Sequence, residues 1–164
     1  MSMITRETEQ LLAVANHYLA EGRLLLESNP KIGSMTIGEI TRMHRHRTPS
    51  LSSPEMVLAH FGSAAVRLAT ICEIAGYRPT ENYRDKFYQR SGDRKSGWPS
   101  SKIRANIAAR PQEHLHLLLR DNVAHEEPGI MSKRQIATDR FAVLKATTID
   151  TCSKALSRIA KTVK

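Results

Sequence analysis

Residues 53–76, SPEMVLAHFGSAAVRLATICEIAG, decide the fold class. Ser53, Pro54 and Glu55 have the chemistry of a helix start: a capping hydroxyl, a proline in the first turn where its missing N–H costs nothing, and an acid at the positive end of the helix dipole. Gly76 closes the segment. Between them Val57, Phe61, Ala64, Ala65, Leu68, Ile71 and Cys72 recur at helical spacing, whereas a half-buried strand would alternate at every second residue. This is a core helix. His60 falls within it and reads as an ordinary packing or surface residue.

The same period continues on both sides. Upstream, about Ile4 to Ser28, Leu11, Ala15, Tyr18, Leu19, Leu25 and Leu26 form a stripe that Asn29-Pro30 ends, and a short helix is expected around Ile37 to Met43. A basic cluster, Arg42-Met43-His44-Arg45-His46-Arg47, then runs into a Ser/Pro-rich linker. At the other end Ser132 with Gln135 has the pattern of a capping box, and Phe141, Leu144, Thr148, Cys152, Leu156, Ile159 and Val163 run along one face to the C-terminus. The β-branched Thr147-Thr148-Ile149 is expected to bend that helix. No strand pair, internal repeat or low-complexity tract interrupts the pattern. The expectation is a single all-α domain over residues 1–164, a bundle of about five to six helices.

At 164 residues with 40% hydrophobic content the chain can bury a core, and its formal charge of +9 and pI near 9.9 favour a polyanionic partner. A merely basic soluble protein is the bland alternative. Cys72 and Cys152 lack the clustered spacing of a zinc or redox motif, so they read as reduced thiols. The N-terminus has no apolar signal core, and no apolar run approaches the roughly 20 residues of a membrane span, so a cytoplasmic location without membrane contact is expected. A P-loop, a serine-nucleophile motif and a Gly-rich dinucleotide loop are all missing from the sequence.

Residues 77–104 differ in character. Arg78, Arg84, Lys86, Arg90, Arg94, Lys95, Lys102 and Arg104 outnumber Glu81, Asp85 and Asp93, with Tyr77, Tyr83, Phe87, Tyr88 and Trp98 interleaved. Cations for the backbone and ring faces for the bases suit single-stranded nucleic acid, which makes Arg84, Lys86, Arg90, Arg94 and Lys95 candidate RNA contacts. The competing reading is a short helix, Thr80 to Arg90, whose aromatics anchor it to the core while its charges are solvated.

Behind the apolar run Leu115 to Leu119 stands Arg120-Asp121-Asn122-Val123-Ala124-His125, followed by Glu126-Glu127-Pro128-Gly129, which should stop a helix. An arginine can hold a phosphate and a histidine can move a proton near neutral pH. Arg110 and His116 have similar spacing, but Pro111 and a helix start separate them. His114 and His116 flank the leucines as expected helix-surface residues, with His116 one turn before Arg120. Asp121 and His125, four apart, share a helical face. Arg120 and His125, five apart, lie about 140° apart around an ideal helix, so either the helix loosens at Ala124 or the Arg of one subunit serves the His of another. His44 and His46 lack acidic or Cys companions, so no metal site is expected there.

The segment Leu119 to His125 resembles the Arg, polar residue, then His motif of the HEPN superfamily, small all-helical domains of which many are ribonucleases of toxin-antitoxin, abortive-infection and other defence systems. The resemblance implies that Arg120, Asp121 and His125 are catalytic, that two copies of the motif meet in a homodimer, and that an antitoxin or other defence-system protein is a partner. It implies metal-independent RNA cleavage without a cofactor. From a different class, a non-catalytic nucleic-acid-binding or protein-interaction helical module accounts for the same basic, helical sequence.

Overall fold

A short antiparallel bridge, at Thr36 and Thr148, ties the two ends of the chain together. The computed structural model describes residues 4–43, 50–75, 115, 116, 118, 119 and 144–164. Its helices are α1 (Glu9–Ser28), α2 (Ile37–Met43), α3 (Ser53–Ala75) and α4 (Ile149–Val163), with a 3-10 helix (Pro30–Ser34) after α1. Residues 115, 116, 118 and 119 are helical too, and no strand occurs among the described residues. The fold is an all-α bundle, as the stripes predict.

The start of α3 follows from its residues. The cap is Ser52, one residue earlier than the sequence suggested: its carbonyl oxygen accepts the Met56 N–H at 2.9 Å, and Glu55 Oε1 accepts the Ser52 N–H at 3.1 Å and the hydroxyl at 2.7 Å. That is the acid's half of a capping box. All seven apolar residues picked from the period are buried, as is Ala69. A fully buried Val, Leu, Ile or Phe contributes about 1.5–3 kcal/mol relative to exposure, so this face dominates the helix's stability.

α1 and α3 run antiparallel: Gly22 lies against His60 and Phe61, while Tyr18, one turn earlier, reaches Arg67. The buried set on α1 is Leu12, Ala15, Leu19 and Gly22, with Leu11, Tyr18, Leu25 and Leu26 only partly buried beside it. The core face is therefore rotated towards Leu12 from the predicted stripe. The helix also starts later than expected, because Thr5 and Thr8 satisfy the backbone locally. Thr8 Oγ1 accepts the Thr5 N–H at 2.8 Å, and the Thr5 carbonyl oxygen takes the Thr8 and Glu9 N–H groups at 3.1 and 3.0 Å.

The expected bend at residues 147–149 is a break. Thr148 is extended, with φ −78° and ψ 158°, and pairs with Thr36. The Ile37 N–H donates to the Thr147 carbonyl and the Ile149 N–H to the Met35 carbonyl, both at 2.9 Å. Both bridged threonines then start a helix: Thr36 Oγ1 accepts the Glu39 N–H at 3.1 Å and Thr148 Oγ1 accepts the Thr151 N–H at 3.3 Å. Gly38 permits the close approach, since a Cβ there would sit 3.0 Å from the Lys145 carbonyl oxygen. Beyond the break Cys152, Leu156, Ile159 and Val163 are buried, as the C-terminal stripe predicts.

One sequence expectation is corrected by α3. Ser53–Cys72 is long and apolar enough to cross a membrane, with mean hydropathy 1.2 over an 18-residue window, because its valines, leucines, isoleucine and alanines outweigh few charges. Half of that window is buried inside the protein, where it packs against α1 and α4.

Candidate functional site

The catalytic candidates Arg120, Asp121 and His125, and the RNA-contact candidates Arg84, Lys86, Arg90, Arg94 and Lys95, lie outside the described residues. So do His44, His46, His114 and the Ser132–Gln135 capping pattern. What can be placed is the run that leads into the motif. Leu115, Leu118 and Leu119 are all buried in the main core cluster. Positions i, i+3 and i+4 of a helix share a face, and that face is here committed to the core.

His116 corrects the sequence expectation. It is fully buried and not a helix-surface residue. At 100° per residue position 116 lies about 60° beyond the arc that Leu115, Leu118 and Leu119 define, so the leucine face does not account for its burial, which comes from tertiary packing on a second side of this run.

Neither cysteine forms a disulfide, and both are buried, in agreement with the reduced-thiol expectation. Burial pushes the Cys152 thiol up to about 12 from an ordinary value of 9.0, because the low-dielectric interior disfavours the thiolate. Since the thiolate is the nucleophile, Cys152 is chemically inert in the folded protein. Below about pH 9 the thiol is neutral in both states, and above it the unfolded chain loses a proton that the folded chain keeps. Stability should therefore fall as pH rises from 9.0 towards 12, by up to about 1.4 kcal/mol per unit from this group. Denaturant titrations at pH 8 and pH 10 check it: the drop should be smaller in Cys152→Ala than in the wild type.

Two further groupings were missed by sequence reasoning. Arg23, Leu26, Glu27, Pro30 and Asp150 line an open hollow of about 470 Å³, where Arg23 is already engaged by the Ser157 hydroxyl. On the α1–α3 face Tyr18 carries three polar neighbours, His17, His60 and Arg67. The legible signal for the second was the seven-residue spacing of His60 and Arg67, which puts both on one side of α3. Among the described residues no group of three His, Cys, Asp or Glu side chains is placed to hold a metal ion. Set against protein-family models, curated proteins and solved structures, the chain matches none of them.

Proposed function

We propose that the chain is a metal-independent endoribonuclease of a toxin-antitoxin or phage-defence system, working in the cytoplasm as a homodimer. The observation that carries this is the sequence Arg120-Asp121-Asn122-Val123-Ala124-His125, joined directly to a helical run whose Leu115, Leu118 and Leu119 are anchored in the core. A catalytic pair needs such a rigid attachment, because small misplacements are costly in rate. The net charge of +9 supplies the attraction for a polyanion.

In the chemistry that follows, the RNA 2′-hydroxyl attacks the adjacent phosphorus and the 5′-oxygen leaves, giving a 2′,3′-cyclic phosphate and a 5′-hydroxyl. His125 takes or gives the proton, one copy serving each site. Arg120 neutralises the charge that develops on the phosphorane oxygens, and Asp121 orients its neighbours. Arg84, Lys86, Arg90, Arg94 and Lys95 hold the RNA backbone. An antitoxin or other defence-system protein would restrain the activity.

Purified protein incubated with mixed RNA in excess EDTA tests the proposal. Fragments ending in cyclic phosphate are the expected result, and RNA that is bound but never cut would replace the ribonuclease with the non-catalytic binding module. The dimer has its own check. Light scattering at tens of micromolar should give twice the monomer mass, since a composite site needs two copies and a stable interface of more than about 1,000 Å².

A further inference from the structure

We propose that the α1–α3 face around Tyr18, His60 and Arg67 is a second nucleic-acid contact, taking one phosphate and a neighbouring unpaired base of a single strand. This deepens the RNA reading and rests on it for the identity of the polyanion.

The Arg67 guanidinium carbon lies 5.3 Å from the centre of the Tyr18 ring, a cation-π contact that holds the guanidinium over the ring. Its Nη1 donates to the Ser63 carbonyl oxygen at 3.2 Å, and no carboxylate pairs with it among the described residues. An arginine has five donors, so this leaves a half-buried, pre-oriented cation with hydrogen-bonding capacity to spare. A planar fork of that kind suits a phosphate.

The surroundings agree in sign. Residues 56–72 of α3 contain no acid at all, and Arg67 is the one charged residue in that stretch. His60 stands one ring away, 5.9 Å from Tyr18 between centroids, with Nδ1 donating to the Met56 carbonyl at 2.7 Å. That bond fixes the imidazole and leaves Nε2 as its second polar atom. On α1 the exposed His17 ring meets Tyr18 edge-on at 5.6 Å and 67°, which offers a base a ring to stack on. The nearest acid along α1 is Glu21, one turn past His17. A face meant only for helix packing would gain from an acid opposite Arg67, because half-buried charges are normally paired. Here the place opposite is taken by a ring.

The test uses the full chain and two fluorescein-labelled ten-nucleotide probes, 2′-O-methyl oligouridylate and oligothymidylate. Neither has the 2′-hydroxyl nucleophile, so neither can be consumed. Arg67→Gln is expected to weaken binding about five- to tenfold and to lower the slope of log K against log salt by about 0.7, the value for one lost phosphate contact on a single strand. Arg67→Lys should keep the slope while losing part of the affinity. His60→Ala, a second variant in case Arg67→Gln folds poorly, should weaken binding about threefold. Equal effects on both probes support a contact through phosphate and base, and an effect on the uridylate alone supports one that also reads the sugar. Unchanged affinity and slope in Arg67→Gln and His60→Ala, or a wild type that binds neither probe, overturns the proposal. RNA cleavage measured separately keeps the two ideas distinct: cleavage with an unaltered Arg67→Gln sinks only this contact, and a binding defect without any cleavage sinks only the nuclease.

Discussion

Replacing His125 with alanine is expected to slow RNA cleavage at least about 100-fold, and Arg120→Ala by a similar or larger factor. General acid–base catalysis by a placed side chain is worth about 10² to 10⁴ in rate, and an arginine that stabilises charge developing in the transition state acts on the same barrier. Neither change should abolish RNA binding, because the lost groups act on the transition state and the long basic segment at residues 77–104 remains. A gel-based rate assay beside a binding titration separates the two effects. The 140° between positions 120 and 125 adds a sharper outcome. If Arg120 of one subunit serves His125 of its partner, mixing the two dead variants rebuilds one intact site in half of the dimers, and roughly a quarter of the wild-type rate returns. No recovery on mixing, with both single variants inactive, would place Arg and His within one subunit and require the helix to loosen at Ala124. Wild-type rates in both variants would remove the ribonuclease altogether.

The architecture was legible because burial follows period. All seven residues chosen on α3 are buried, since Val57, Phe61, Ala64, Ala65, Leu68, Ile71 and Cys72 form one unbroken face, while Met56, Leu58, Val66 and Ile74 fall outside it and are left partly or largely exposed. α1 was harder: with Leu11, Leu12, Leu24, Leu25 and Leu26 all present, the apolar residues wrap around the helix, and only packing against α3 selects Leu12 over Leu11 and leaves Leu24 56% exposed. The break before α4 was half visible. Thr147-Thr148-Ile149 marks a weak point locally, but the event that turns a bend into a new helix is a bridge to Thr36, more than a hundred residues away in sequence. His116 was misplaced for a related reason, because a polar residue outside the leucine face is read outward, and only tertiary packing shows that it is covered. For the candidate site the sequence supplies residue types and spacing, which name a chemistry without fixing distances. The aromatic-cationic face on Tyr18 was legible only in the His60–Arg67 spacing on α3, since its ring comes from α1 and only the packing sets the register of the two helices.

Phe61→Ala should be the most destabilising single change in the described core, at about 3–5 kcal/mol. Phe61 is fully buried at the α1–α3 contact and is among the largest of the fully buried side chains. Removing its ring leaves a cavity between two helices that are each held by other contacts and cannot simply close. Domains of this size have only about 5–15 kcal/mol in hand, so the loss lowers the melting temperature by roughly 6–20 °C. The partner residue makes the cause testable. Gly22 is in the interior of α1, where alanine would ordinarily be favoured by about 1 kcal/mol. Here a Cβ would lie 2.6 Å from Phe61 Cε1 and 2.9 Å from Cδ1, closer than real Cβ atoms essentially ever come, and the ring is fully buried. Overpacking of that kind costs about 1–3 kcal/mol, so it outweighs propensity and Gly22→Ala should destabilise. In the double variant Gly22→Ala with Phe61→Leu the clash is gone while the propensity gain remains. It should therefore be more stable than the sum of the two single changes by about 1 kcal/mol or more, a coupling that chemical denaturation can resolve. Simple additivity of the two would mean that α1 and α3 do not meet at Gly22 and Phe61, and the register of the whole bundle would have to be redrawn.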